Sequence, residues 1–156
     1  ERYALYGHSA GSQFVHRFLY FVPDARVTTA VAANAGWYTM PTLETDYPYG
    51  LDETPAAPAA LRGALSNNLT VLLGTEDNDP NGRYLRKTPE AEAQGPHRFA
   101  RGQNFFNAGL AQASAMEVDF AWRLEFAPGI GHSNAQMAEF AAPILAGTDI
   151  DPPASP

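Results

Sequence analysis

The pattern of apolar and polar positions divides the chain into short strands that alternate with longer helices. Tyr3-Ala4-Leu5-Tyr6 is a brief apolar run. After it, Phe14, Val15, Phe18, Leu19, Phe21 and Val22 fall on one face of a helix over about 10–22, which Pro23-Asp24 ends. Residues 25–33 hold Val27-Thr28-Thr29-Ala30-Val31-Ala32-Ala33, β-branched and uncharged, which predicts a central strand covered on both faces. Leu69-Thr70-Val71-Leu72-Leu73 predicts another, closed by Gly74. Phe99, Phe105, Phe106, Leu110 and Ala113 predict an amphipathic helix over about 100–115. Residues 120–126 alternate apolar and polar, the signature of a strand near a sheet edge with one face wet. Met137, Phe140, Ala141, Ile144 and Leu145 form a last helical stripe, with Ser133 or Asn134 as N-cap, a kink at Pro143 and an end at Gly147.

Two stretches lack this periodicity. Residues 39–58 contain Pro41, Pro48, Pro55 and Pro58 among acidic side chains and read as an irregular insertion, with a short helix over 56–65 behind it. Residues 149–156 are Pro-rich and read as a frayed tail. Strand and helix patterns alternate on both sides of the insertion, so residues 1–148 are expected to form one α/β domain with a mainly parallel sheet. The chain opens without Met, at or inside a strand, which suggests the C-terminal half of a larger protein.

Composition removes several classes of function. The 156 residues carry 17 acidic against 10 basic side chains, a net charge of −7, with no Lys/Arg-rich run, so nucleic acid and anionic membrane surfaces are poor partners. There is no cysteine, which excludes disulfides and thiolate metal sites and does not locate the protein in any compartment. No apolar run is long enough to span a bilayer. His8 and His16 have no carboxylate at ligand spacing, no phosphate-cradling glycine loop is present, and neither metal nor cofactor is expected.

The chemistry gathers where a parallel sheet places it, on loops beyond the carboxyl ends of the strands. Those loops carry, in order, Ser9; Trp37 and Tyr38; Asp77 and Asp79; and His132. Ser9 stands in Gly7-His8-Ser9-Ala10-Gly11 between a strand and a helix, a sharp turn that pushes the hydroxyl above the sheet, with both glycines expected to avoid collisions with neighbouring backbone. A serine hydroxyl needs an imidazole base, and the imidazole needs a carboxylate on its other nitrogen. His132 follows a late strand and a glycine turn, unlike His8, His16 and His97. Ser12, in the first helical turn, is expected to satisfy backbone groups. Trp37 and Tyr38 could wall a substrate crevice or simply pack under the insertion, and Asn34 could line the same crevice.

Gly7-His8-Ser9-Ala10-Gly11, the loop Gly74-Thr75-Glu76-Asp77 with Pro80 after it, and Gly131-His132-Ser133 resemble, in that order, the three motifs of an α/β-hydrolase. Over residues 2–146 the chain is similar to the C-terminal half of bacterial serine esterases of the polyhydroxybutyrate-depolymerase-like group. The resemblance implies a three-layer α/β-hydrolase fold whose N-terminal strands lie upstream of Glu1. It implies Ser9 as nucleophile, His132 as general base and Asp77 as orienting acid, ahead of Asp79 and Glu76. The Ala10 N–H would be one oxyanion donor, and the second would come from a loop upstream of this chain. The expected activity is hydrolysis of a small or polymeric carboxylic ester. A peptidase, a thioesterase or a non-catalytic binding domain could carry the same residues.

Overall fold

A computed structural model describes residues 1–56 and 58–147. Its elements are β1 (Tyr3–His8), α1 (Ala10–Phe21), β2 (Val27–Ala33), α2 (Pro58–Leu65), β3 (Leu69–Gly74), α3 (Pro89–Ala93), α4 (Arg98–Met116), β4 (Arg123–Ala127) and α5 (Asn134–Ala146). The expected tail at 149–156 lies outside the described residues.

The four strands form one sheet in the order β1-β2-β3-β4, and every pair is parallel. Strand alternation divides the core between the two faces. Ala30 and Ala32 of β2 and Val71 and Leu73 of β3 point toward α1, α2 and α4, packing with Val15, Leu19, Leu61, Leu65 and Phe105. Val31, Ala33 and Leu72 point the other way, onto Met137 and Ala141 of α5. Helix, sheet and helix therefore make three layers, and β3 and the Ala30–Ala33 end of β2 are uncharged because both of their faces are covered. β4 pairs only with β3 and keeps Arg123 and Glu125 exposed, as its alternating pattern predicts.

Some boundaries moved for identifiable reasons. The edge strand begins at Arg123, three residues later than the alternation suggests. Trp122 packs against Phe105 at 4.9 Å and its Nε1–H donates to the Ala64 carbonyl at 2.8 Å, while Ala121 N–H donates to Leu65 O. Those bonds hold residues 120–122 against α2 and α4 instead of in the sheet. α3 was not anticipated, although Thr88 caps it, Pro89 starts it and Glu90 and Glu92 fill its first turn. Residues 39–56 form no named helix or strand, apart from an isolated bridge between Asp46 and Asp52. Pro143 lies inside α5, with Ser133 as N-cap and Gly147 as C-cap in the left-handed region. Among the described residues, no helix is long and apolar enough to cross a membrane.

Parallel pairing brings the strand ends to one edge. His8 of β1 is level with Ala33 of β2, Ala33 with Leu72 of β3, and Gly74 with Ala127 of β4. Ser9, Asn34, Asp77 and His132 therefore leave the sheet side by side.

Candidate active site

The site begins with a strained turn. Ser9 joins β1 to α1 at φ 57° and ψ −115°, outside the regions L-residues prefer, at a cost on the order of 1–3 kcal/mol. Its N–H is held by Ala33 O at 2.9 Å. Gly7 makes the turn possible: a Cβ there would stand 2.2 Å from the Gly11 carbonyl oxygen. Gly11 differs from the expectation, since a Cβ on it would meet nothing within 4 Å. Only the first glycine answers a collision.

Ser9 Oγ lies 3.0 Å from His132 Nε2, and His132 Nδ1 lies 2.7 Å from Asp77 Oδ2. An ionised carboxylate only accepts, so Nδ1 carries the proton and Nε2 is free to accept from the serine hydroxyl. The relay runs outward from the interior: Asp77 is 5% exposed, whereas the His132 side chain is 30% exposed. The Ala10 N–H belongs to the first turn of α1, where amides have no intrahelical acceptor.

Hydrogen bonds between loops set this alignment. Asn34, wholly buried at φ 48°, accepts from Gly74 N–H at 2.9 Å and donates to Gly131 O at 3.2 Å. Glu76 N–H donates to Ile130 O at 2.9 Å, and Gly129 N–H donates to Thr75 Oγ1 at 2.8 Å. Gly74 has no room for a side chain, since its Cβ would stand 2.4 Å from Ile130 O. The loop bearing Asp77 and the loop bearing His132 thus lie backbone against backbone. Asn34 clamps them; it does not line a crevice.

The remaining histidines divide by environment. The His8 ring lies 4.6 Å from that of His132, and its buried Nε2 has no hydrogen-bond partner among the described residues. Burial, followed by the proximity of His132, lowers the His8 pKa to about 4. His16 is buried within α1; its Nε2 accepts from Thr39 N–H at 3.0 Å, so Nδ1–H donates to Ser12 O at 2.8 Å. Burial, followed by the neighbouring Arg17 charge, lowers its pKa to about 3. His97 caps α4, accepting from Ala100 N–H.

A search of family models and a search of curated proteins both found no match. Solved structures do match. The poly(aspartic acid) hydrolase-1 from Sphingomonas sp. KT-1 is 52% identical over 93% of this chain, with a TM-score of 0.92. LpqC, a poly(3-hydroxybutyrate) depolymerase from Bordetella parapertussis, is 39% identical over 97% of this chain, with a TM-score of 0.88. The chain belongs to the α/β-hydrolase superfamily. It spans about half the length of those two proteins, 55% and 51% respectively.

Within this α/β-hydrolase, Tyr38 and Trp37 follow the packing alternative and Ser12 departs from its expected role. Tyr38 forms no crevice wall: it is wholly buried, stacked on Phe105 at 4.4 Å, and burial raises its phenol pKa. Trp37 is only 9% exposed, with the guanidinium carbons of Arg17 and Arg86 at 4.5 and 5.0 Å from its ring and Tyr49 beside it. Ser12 Oγ is buried and, among the described residues, has no hydrogen-bond partner, backbone or side chain. Sequence reading also missed Arg98 and Arg101, which lie in a segment that holds half of the basic residues. Both are buried. Arg101 donates to the Gly95 and Gly36 carbonyls, and Arg98 faces Asp77. Their signal, two arginines three apart opening an amphipathic helix, does not distinguish buried from wet. Asp79 remains exposed, with Oδ1 accepting from Asn81 N–H, and Glu76 is exposed beside it. Among the described residues, no group of His, Asp and Glu could hold a metal ion.

Proposed function

We propose that the chain carries the nucleophile, base and acid of a serine hydrolase that cleaves carboxylic esters through an acyl-enzyme. The observation that carries this reading is the continuous relay from Ser9 through His132 to Asp77, at 3.0 and 2.7 Å, built on a strained strand-to-helix turn.

In this reading Ser9 Oγ attacks the ester carbonyl carbon while its proton passes to His132 Nε2. Asp77 stabilises the imidazolium across the Nδ1–H bond. The Ala10 N–H faces the developing oxyanion. Collapse of the tetrahedral intermediate breaks the C–O bond to the alcohol, which leaves with the proton from Nε2. Water, deprotonated by His132, then releases the acid and restores Ser9. The names of the two related hydrolases support a polymeric substrate, and a polyester of hydroxy acids is the class we assign. Because the same relay also hydrolyses amides and thioesters, the chemistry at Ser9 is tested separately from the substrate.

A fluorophosphonate probe should label Ser9 in the folded protein and fail to label Ser9→Ala. Soluble aryl esters should be hydrolysed by the parent and not by that variant. Absence of labelling in a sample with native circular dichroism would overturn the reading.

A further inference from the structure

Asp77 divides its two oxygens between different partners. Oδ2 meets His132 Nδ1 at 2.7 Å, and Oδ1 meets Arg98 Nη1 at 3.4 Å. We infer that Arg98 is a positioning residue, which holds the Asp77 carboxylate in the plane that His132 requires and sets a fixed positive charge behind it. The inference rests on the hydrolase reading of Ser9 and extends it to a residue that touches neither serine nor substrate.

Arg98 is fixed before it reaches Asp77. It is the first residue of α4, next to the His97 cap. Nη2 donates to Arg83 O at 2.8 Å, and the whole residue is only 5% exposed. The backbone repeats the connection, because Phe99 N–H donates to Asp77 O at 3.0 Å. The acid loop is therefore held by the first turn of α4 through both main chain and side chain. Among the described residues, Arg98 is the one hydrogen-bond partner of Oδ1, and without it the carboxylate could rotate about its own axis.

Stability alone does not account for this arginine. Burying a guanidinium and a carboxylate forfeits hydration that their attraction only roughly repays. Here the 3.4 Å separation is long for a hydrogen bond, and Arg98 Nε is buried with no hydrogen-bond partner among the described residues. An apolar side chain would fill the space without an orphaned donor. What it could not supply is a fixed positive charge behind the acid.

The charges around His132 give the sign of the effect. Asp77 bonds His132 from the acid loop, His8 packs on it from β1, and Arg98 lies on α4 behind Asp77. His8 is uncharged near neutral pH, because burial and then His132 lower its pKa to about 4. Arg98 is thus the cation on this side of the relay, and its removal should let His132 bind a proton more tightly.

The test uses Arg98→Gln and Arg98→Lys in the full chain, with two readouts. The first is the low-field proton signal of His132 Nδ1–H, followed by NMR against pH. The second is kcat and KM against pH on an aryl ester. For Arg98→Gln the NMR midpoint and the acid limb of kcat should both move to higher pH. Its kcat should fall about tenfold or more, with KM nearly unchanged. Arg98→Lys keeps the charge and should return the midpoint toward the parent value. A folded Arg98→Gln with unmoved midpoint and kcat would overturn the inference. So would equal losses of kcat and thermal stability in both variants with no midpoint shift, which would make Arg98 a brace. If parent and Ser9→Ala prove equally inert, the hydrolase reading fails, and the NMR midpoint still decides whether Arg98 tunes His132.

Discussion

The imidazole of His8 packs on that of His132, centroids 4.6 Å apart and planes tilted by 40°. Two imidazoles this close cannot both be cationic at low cost. Burial, followed by the His132 charge, lowers the His8 pKa to about 4, which leaves His8 neutral near neutral pH. His8→Phe, which keeps an aromatic ring, should therefore leave the acid limb of kcat/KM in place. A pH profile of the two proteins checks this, and a displaced limb would show that His8 carries charge in the working range.

The two glycines of the turn should behave differently. Gly7→Ala forces a Cβ to 2.2 Å from Gly11 O, backbone against backbone. It should cost about 1–3 kcal/mol of stability and weaken probe labelling of Ser9. Gly11→Ala meets open space inside a helix and should raise stability by up to about 1 kcal/mol. Urea midpoints of both variants separate the cases.

Asp77→Asn and Asp79→Asn form the second contrast. Asparagine at 77 can present an N–H where His132 needs an acceptor, which favours the wrong tautomer. Its kcat should fall by about 10⁴ with little loss of fold. Asp79 is exposed and bonds only within its own turn, so Asp79→Asn should change kcat by less than about twofold. Loss of turnover in Asp79→Asn alone would reassign the acid.

His16 makes stability depend on pH. Its folded pKa is about 3 against an ordinary value of 6.5, so the unfolded chain binds the extra proton between those limits. The stabilisation is complete above about pH 6.5 and is lost as pH falls toward 3, on the order of a few kcal/mol in all. His16→Gln should be less stable than the parent at pH 7, through weakened bonds to Ser12 and Thr39, and the gap should narrow by pH 5. Urea denaturation at the two pH values measures it.

Much of this architecture is legible in the chain itself. Ala30–Ala33 and Leu69–Leu73 are uncharged because both faces of the sheet are covered there, and that property survives translation into sequence. The order of strands and helices then places Ser9, Asp77 and His132 on one edge without any knowledge of distance. What does not translate is contact between residues far apart in the chain. Tyr38 reads like a crevice aromatic because nothing local announces Phe105 beneath it. Nothing local announces the burial of Arg98 and Arg101, because their acceptors, Asp77, Arg83, Gly36 and Gly95, are found only on folding. Phe120 and Trp122 continue a strand alternation and are drawn out of it by α2 and α4.

Asn34 joins Gly74 to Gly131, and with them the acid loop to the base loop. Together with the Glu76–Ile130 and Gly129–Thr75 bonds, that amide makes the two loops a single mechanical body, in which neither can swing without carrying the other. The spacing between Asp77 and His132 is thereby a property of the folded backbone and does not have to be assembled by whatever binds beside Ser9.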